Sequence, residues 1–176
     1  MLRLYLRRGL FIVTISLMLK ELITNNSKET QKLGGMLARE LKGGEIICLS
    51  GELGAGKTTF TQGLLRGLKV PGPYTSPTFV VMKQYRGAHS VERGAKKKAL
   101  RATRSTLYDI YHIDAYRVGS DDILNLGWEE IINNKKNVII VEWAERIDGI
   151  IPGDAVWIRF QWVDESKRKI SLGLKF

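Results

Sequence analysis

Gly51-Glu-Leu-Gly54-Ala-Gly56-Lys57-Thr58 is the stretch that decides the fold. It follows an apolar run and opens a segment with helical character, which is the context that a phosphate-binding glycine loop requires. Its glycines let the backbone turn tightly and aim N–H groups at phosphate oxygens. The helix that starts near Lys57 adds the positive end of its dipole. The stretch therefore predicts a P-loop nucleotide-binding protein and favours an ATPase.

Three polar side chains of this loop have predicted roles. Lys57 has the reach and the charge to contact the outer phosphates of a nucleotide. The Thr58 hydroxyl can ligate Mg²⁺, and Thr59 can add one more donor. Guanine-specific P-loop proteins carry an Asn-Lys-x-Asp motif, and the nearest run here, 134–137 (Asn-Lys-Lys-Asn), lacks its Asp. The loop therefore predicts ATP and Mg²⁺ as ligands.

A carboxylate follows the second apolar strand. Residues 138–141 (Val-Ile-Ile-Val) are wholly apolar and are followed by Glu142. A strand that delivers an acid beside the glycine loop is how P-loop proteins hold Mg²⁺, directly or through water. We interpret Glu142 as that ligand, and the alternative is a surface acid at a strand end. Trp143 can serve as core packing or as a lid over the site, and its position leaves both open.

Two further segments carry candidate site residues. Asp114 follows the predicted strand 106–113, and it can orient water or complete the Mg²⁺ shell, or it is a turn residue. Arg117 is a candidate to neutralise phosphate charge. His112 is more typical of a structural residue. The hydroxyl-rich segment 75–79 (Thr-Ser-Pro-Thr-Phe) follows the P-loop helix, where nucleotide-sensing switch loops lie, although an ordinary connecting loop can have the same composition.

Strand and helix patterns alternate along the chain. Wholly apolar runs at 46–49 and 138–141 are typical of strands buried on both faces. We predict a single α/β P-loop domain with a mainly parallel central sheet, antiparallel additions and flanking helices. The additions include a hairpin of strands 155–163 and 168–174. Cys48 is the single cysteine and lies in the first run, which predicts a buried thiol and a cytoplasmic protein.

The net charge of +10 is concentrated in two segments. Residues 86–104 carry seven basic residues and one acid, and residues 1–17 carry three basic residues and no acid. We interpret 86–104 as a long solvated loop inserted into a P-loop domain that spans 18–176. Residues 1–17 are interpreted as an extension or as a misassigned start, with Met18 as the true one; the alternative is a targeting segment. Their apolar run is too short to span a bilayer, so we expect no membrane association.

Five motifs occur together in a fixed order. They are 51–60 (Gly-Glu-Leu-Gly-Ala-Gly-Lys-Thr-Thr-Phe), 76–79 (Ser-Pro-Thr-Phe), 111–117 (Tyr-His-Ile-Asp-Ala-Tyr-Arg), 126–130 (Leu-Gly-Trp-Glu-Glu) and 141–145 (Val-Glu-Trp-Ala-Glu). This set, within about residues 20–174, resembles the TsaE (YjeE) family. The resemblance implies a small P-loop ATPase that acts with TsaB and TsaD to place threonylcarbamoyl on adenosine 37 of tRNAs reading codons that begin with A. It also implies that TsaD carries the transfer chemistry, while ATP hydrolysis supports turnover of the complex.

The resemblance also implies roles for individual residues. The residues of the loop that would contact ATP are Gly51, Gly54, Ala55, Gly56, Lys57, Thr58 and Thr59. Thr58 and Glu142 would ligate Mg²⁺, and Lys57, Asp114 and Glu142 would form the catalytic set. The switch loop would comprise Ser76, Pro77, Thr78 and Phe79. Ser27, at the start of the first helix, falls where the family approaches the nucleotide base.

Two departures from the family pattern leave alternatives open. The family has a shorter link in place of 86–104, and it begins near Met18. The insert is a candidate for direct contact with tRNA phosphates, because clustered Lys and Arg bind polyanions; the alternative is a solvated loop or a species-specific insertion. Two other functions also fit a glycine loop. One is a small-molecule P-loop kinase, and the other is a nucleotide-gated binding module with negligible turnover.

Overall fold

The computed structural model describes residues 21–90 and 105–173. The strands are β1 (Glu21–Thr24), β2 (Ile46–Ser50), β3 (Met82–Ser90), β4 (Ser105–Asp114), β5 (Asn137–Glu142), β6 (Val156–Trp162) and β7 (Arg168–Gly173). The helices are α1 (Ser27–Ala38), α2 (Lys57–Gly67), α3 (Ser120–Asn125) and α4 (Trp128–Asn133). Two short 3₁₀ turns follow β5, at Ala144–Arg146 and Asp148–Ile150. Within the described ranges, no helix is long and apolar enough to cross a membrane.

The strands form one sheet in the order β1-β7-β6-β2-β5-β4-β3. The four central strands, from β6 to β4, run parallel to one another. The outer pairs β1/β7, β7/β6 and β4/β3 are antiparallel. The predicted α/β class, with its parallel centre and antiparallel additions, is confirmed. Because β2, β5 and β4 are parallel, their carboxyl ends meet at one edge of the sheet, where open α/β sheets bind ligands.

The sheet separates two apolar cores. One lies beneath α1 and α2, and the other lies beneath α3, α4 and the 3₁₀ turns. The two strands predicted to be buried on both faces, β2 and β5, are buried along their whole length. Cys48 on β2 is fully buried, as its apolar surroundings predicted. Burial raises the pKa of its thiol to about 12, so this cysteine stays protonated at neutral pH.

Helices α1 and α2 pack closely, and this contact places the start of α1 beside the glycine loop. A Cβ added to Gly63 of α2 would lie 1.9 Å from the Gln31 carbonyl oxygen of α1, so only glycine fits there. Asn26 caps α1 by accepting a 3.0 Å hydrogen bond from the Glu29 N–H. The Glu29 carboxylate accepts a hydrogen bond from the Asn25 N–H at 2.8 Å, one residue earlier than in a standard capping box. The start of α1 is therefore held firmly.

The interpretation of 86–104 as one solvated loop is wrong for its first five residues. Residues 86–90 continue β3 and pair with 105–109 of β4 in antiparallel register. The Arg86 guanidinium forms an ion pair with Asp109 at 3.5 Å, and Gly87 lies against Ile110 and the Leu68 carbonyl. Cross-strand partners thus extend a segment whose own composition is polar. The rest of the insert, 91–104, and the segment 1–17 lie outside the described residues.

Candidate nucleotide-binding site

The glycine loop connects the end of β2 to the start of α2. Gly51, Gly54 and Gly56 all have positive φ values, of 130°, 75° and 106°. A Cβ at Gly51 would lie 2.1 Å from the Phe160 carbonyl oxygen, so that position excludes every other residue. Helix α2 begins at Lys57, directly after Gly56. The first-turn N–H groups of α2 therefore face the loop without intrahelical acceptors, which favours an anion at this point.

The Lys57 side chain folds back over the loop. Its ammonium donates hydrogen bonds to the carbonyl oxygens of Gly51 at 2.5 Å and Glu52 at 2.9 Å. It also lies 3.6 Å from the centroid of the Trp143 ring. Burial lowers the pKa of Lys57 below its ordinary value, and nearby carboxylates, Glu145 first, act in the opposite direction. The ammonium is thus held at the loop by uncharged partners, which a phosphate can replace.

Thr58, Glu142 and His112 form a chain of hydrogen bonds. The Thr58 hydroxyl donates to Glu142 Oε2 at 2.6 Å. Glu142 Oε1 lies 2.8 Å from His112 Nε2. Both Glu142 and His112 are only 1% exposed. The carboxylate at the end of β5 is therefore oriented on both of its oxygens, with one of them directed at the start of α2.

The residues around Thr58 fit Mg²⁺ on the chemistry of their donors. A hydroxyl and a carboxylate are the hard oxygen ligands that Mg²⁺ uses, and Mg²⁺ is held by one or two such protein groups together with phosphate oxygens and water. Thr58 Oγ1 and Glu142 Oε2 are 2.6 Å apart, close to the separation of about 2.9 Å between adjacent oxygens of an octahedral Mg²⁺ shell. The predicted pair of ligands is thus brought together at the mouth of the loop.

Asp114 lies beside Glu142, since the two residues are partners in the β4/β5 register. Its Oδ2 accepts hydrogen bonds from the Ser76 hydroxyl at 2.7 Å and the Thr78 hydroxyl at 2.5 Å. Its Oδ1 accepts from the Tyr116 N–H at 3.0 Å. The side chain is 3% exposed. The segment predicted as a switch loop is therefore attached through its two hydroxyls to the second acid of the site.

The other two switch-loop residues, Pro77 and Phe79, differ in burial. Pro77 is buried, and its carbonyl accepts from the Val80 N–H at 2.8 Å to close a turn. Phe79 is 83% exposed. The Arg117 guanidinium lies 4.7 Å from the centroid of the Phe79 ring. Arg117, a candidate for charge neutralisation at the phosphates, thus lies against the switch loop in this conformation.

Trp143 lines the site on the side of β5. Its ring lies between the Lys57 ammonium and the Tyr116 ring, whose centroid is 4.8 Å away. Its backbone has φ 60°, an uncommon value for a bulky residue. The strained turn aims the ring at the loop directly after Glu142. A cleft of about 340 Å³, lined in part by Glu52 and Glu145, opens next to the ring.

A second cleft, of about 300 Å³, extends from the glycine loop to the start of α1. Ser27, Gly56 and Thr59 all line it, so the structure brings the proposed base-contact residue next to the loop. Arg168 of β7 closes its far side, and its Nε donates to the Gly54 carbonyl at 3.1 Å. Its Nη1 donates to the Asp164 carbonyl at 2.7 Å. The guanidinium therefore joins the glycine loop to the β6–β7 turn.

Sequence reasoning missed Arg168 and gave His112 a structural role. Arg168 stands 114 residues from Gly54 in the chain, in a segment with an ordinary strand pattern. Nothing local distinguishes it from the other basic residues of the hairpin. His112 precedes Asp114 by two residues, and alternation along a strand puts the two on one face. That spacing was the available indication that His112 faces the site.

The family model described as "Threonylcarbamoyl adenosine biosynthesis protein TsaE" matches residues 24–170. The chain belongs to the TsaE family. The tRNA threonylcarbamoyladenosine biosynthesis protein TsaE of Aquifex aeolicus is 36% identical over 157 residues, covering 88% of this chain and 96% of the relative. The TsaE protein of Rickettsia felis is 34% identical, covering 86% of this chain and 78% of the relative. The predicted family is thus confirmed.

A solved structure supports the same assignment. The crystal structure of Bacillus subtilis YdiB aligns with a TM-score of 0.65 and 27% sequence identity, covering 88% of this chain and 85% of YdiB. The TsaE match begins at Thr24 and ends at Ile170, so it includes the glycine loop, the switch loop and both acids. TsaE proteins belong to tRNA threonylcarbamoyladenosine biosynthesis by their names. The roles predicted for the individual residues remain predictions within that family.

Proposed function

We propose that this chain is the Mg²⁺-dependent ATPase subunit of the cytoplasmic machinery that places threonylcarbamoyl on adenosine 37 of tRNAs reading codons that begin with A. It acts with TsaB and TsaD. Membership of the TsaE family supports the pathway. The observation that carries the enzymatic part is the position of Thr58 and Glu142, which present two hard oxygens beside the ammonium of Lys57 at the start of α2.

Each group of residues in the site has its own role in phosphoryl transfer from ATP to water. The N–H groups of the glycine loop and of the first turn of α2 bind the phosphates. Lys57 exchanges its carbonyl partners for phosphate oxygens and stabilises charge that develops during transfer. Thr58 and Glu142 hold the metal ion. Mg²⁺ bound there supplies charge neutralisation and orients the phosphate oxygens.

Asp114 is the residue that positions the attacking water in this proposal. Its carboxylate accepts hydrogen bonds from three donors, the hydroxyls of Ser76 and Thr78 and the Tyr116 N–H. At least one hydroxyl must leave before Oδ2 can accept from water. The isolated chain is therefore expected to hydrolyse ATP slowly, and a partner that moves the switch loop completes the site. Contact of the partner with exposed Phe79 offers one route.

The test is ATP hydrolysis by the purified chain, alone and with the TsaB–TsaD pair and tRNA. We expect low turnover alone and stimulated turnover with the pair, together with sustained formation of threonylcarbamoyl-tRNA. Lys57→Ala is the control that abolishes both. Full-speed hydrolysis by the isolated chain would contradict partner completion. Hydrolysis that is indifferent to the pair would contradict the assigned machinery, and a phosphorylated metabolite would point to a kinase.

The occupied state of Asp114 favours a second candidate, a nucleotide-gated binding module. In that case ATP changes the conformation of the switch loop and the affinity for partners, and Asp114 does not position a water. The two functions differ in turnover when the partners are present. ATP turnover by the unmodified chain that is lost in Asp114→Asn supports the ATPase. Absence of turnover in the unmodified chain, with partner affinity that depends on the nucleotide, supports the module.

A further inference from the structure

Among the described residues, the His112 ring has one hydrogen-bond partner, Glu142. The imidazole Nε2 lies 2.8 Å from Glu142 Oε1. The other ring nitrogen, Nδ1, is buried and has no hydrogen-bond partner among the described residues. The residue is 1% exposed and lies near the carboxyl end of β4. All of the hydrogen bonding seen for this ring is thus directed at one oxygen of the carboxylate.

This arrangement is costly for a residue whose role is only packing. A buried polar atom without a partner destabilises the folded state, and an apolar side chain would avoid that cost. The neighbours of His112 on this face of the sheet, Ile110 and Ile140, are apolar. A hydrogen bond to a buried carboxylate offsets the cost, because an ionised group out of water needs donors. The contact with Glu142 therefore explains why a histidine stands here.

The contact also decides which oxygen of Glu142 faces the loop. With Oε1 held by His112, Oε2 is the oxygen that accepts from Thr58. Without the imidazole, Oε1 would have no donor, and the carboxylate would gain from turning toward the Lys57 ammonium or toward solvent. Groups that hydrogen-bond a metal-ligating carboxylate orient it, and their removal costs about 10–100-fold in metal affinity or activity.

We propose that His112 is a positioning residue that orients Glu142 for Mg²⁺ and so sets how strongly Mg²⁺ promotes ATP binding. This inference rests on the Mg²⁺-dependent function proposed above. It adds to that function a residue that touches neither the nucleotide nor the metal. The effect operates through Nε2 alone, since Nδ1 has no hydrogen-bond partner among the described residues.

The test compares the affinity for ATP with saturating Mg²⁺ and with EDTA, measured by calorimetry on the full chain. The ratio of the two affinities is the Mg²⁺ gain. Two polar variants are matched: the amide of His112→Gln reaches the position of Nε2, and the amide of His112→Asn is too short. We expect the Mg²⁺ gain to fall about 10–100-fold in His112→Asn, with the EDTA affinity unchanged, and to return most of the way in His112→Gln.

Ile140→Val is the control for disturbance of the core, because Ile140 is the buried cross-strand neighbour of His112 and carries no polar side-chain atom. It is expected to keep the full Mg²⁺ gain. A double variant with Glu142→Gln tests the route: His112→Asn should cause no further loss once the carboxylate is absent. Thermal unfolding in EDTA shows that each variant is folded.

The outcomes separate the inference from the function on which it rests. A wild-type chain with no Mg²⁺ gain would overturn the Mg²⁺-dependent function and this inference with it. A normal wild-type gain that His112→Asn preserves would overturn the inference alone. Equal losses with Mg²⁺ and with EDTA, or a further loss in the Glu142→Gln background, would assign His112 a structural role instead.

Discussion

The Thr58 hydroxyl donates a 2.6 Å hydrogen bond to Glu142 Oε2, although the two residues are 84 positions apart in the chain. The contact joins the first turn of α2 to the end of β5. Both atoms are hard oxygens of the kind that ligate Mg²⁺. The bond therefore keeps two candidate ligands of one ion close together.

Replacing Thr58 by valine tests this pairing with little change in side-chain volume. The variant lacks the hydroxyl oxygen, so both the hydrogen bond and the predicted metal contact are lost. We expect partner-stimulated ATP hydrolysis to fall by about 10²-fold or more. Thr58→Ser keeps the oxygen and should retain most of the activity. A Thr58→Val chain that hydrolyses ATP at the wild-type rate would show that Thr58 does not contribute to the reaction.

Neutralising Asp114 should release the switch loop. The Ser76 and Thr78 hydroxyls donate to its carboxylate, and hydrogen bonds to charged groups are about twice as strong as neutral ones. In Asp114→Asn we expect amide hydrogen exchange in residues 76–81 to become about tenfold faster, which corresponds to about 1.4 kcal/mol. Asp109→Asn, an exposed acid on the same strand, is the control. Unchanged exchange in Asp114→Asn would mean that other contacts hold the loop.

The parts of the site that the sequence predicted are those encoded locally. The glycine loop is one contiguous pattern, and Glu142 directly follows a wholly apolar run, so both could be located without knowing the fold. Parallel strands then bring the acids to one edge, because their carboxyl ends meet there. Asp114 and Glu142 are accordingly partners in register.

The parts that could not be predicted depend on long-range packing. The Arg168 contact with Gly54 requires β7 to lie antiparallel beside β6, which no local pattern specifies. The extension of β3 through 90 is polar in composition and exists because β4 supplies its partners. The folding of Lys57 over Trp143 depends on an uncommon φ at Trp143. Each of these features arises from a neighbour that is distant in the chain.

Lys57→Met is expected to remove nucleotide binding without destabilising the nucleotide-free protein at neutral pH. Burial lowers the pKa of Lys57 below the ordinary value of 10.5, so the folded state binds its proton less well than the unfolded state. Between the lowered pKa and 10.5, the ammonium deprotonates in the folded state before it does so in the unfolded state. The contribution of Lys57 to the free energy of unfolding of the wild-type chain therefore rises with pH in this range. Below that window the cost of the buried charge is fully present.

The measurement is the free energy of unfolding of both chains by urea, at neutral pH and at several values approaching 10.5. The free energy of unfolding of Lys57→Met should exceed that of the wild-type chain by less as the pH rises, because only the wild-type chain carries the buried ammonium. Lys83→Met, at a lysine of β3 whose ammonium donates to Thr75, is the matched control. A difference that grows with pH would mean that the ammonium stabilises the folded state.

Trp143 should report the arrival of ATP. The Lys57 ammonium lies 3.6 Å from its ring and must move toward the phosphates when they bind. Loss of a cation from the ring face changes the indole fluorescence. We expect ATP to produce a saturable change in emission that is absent in Trp143→Phe and in Lys57→Ala. Trp162→Phe, at a ring that is 55% exposed on the hairpin, should keep the change. A response that survives Trp143→Phe would have to come from another tryptophan.

Arg168 should hold the glycine loop in the conformation that binds phosphate. Its guanidinium joins the Gly54 carbonyl to the carbonyl of Asp164 in the β6–β7 turn. Arg168→Met removes both bonds, so the loop gains freedom that the nucleotide must then remove, and we expect the affinity for ATP to fall about tenfold. Arg168→Lys supplies one ammonium in place of the planar fork and should be intermediate. Lys167→Met, at a neighbour whose ammonium pairs with exposed Asp164, should leave the affinity unchanged. Equal losses of ATP affinity in Lys167→Met and Arg168→Met would mean that the effect comes from the general charge of the hairpin. A loss confined to Arg168→Met makes the β6–β7 turn a structural support of the phosphate site.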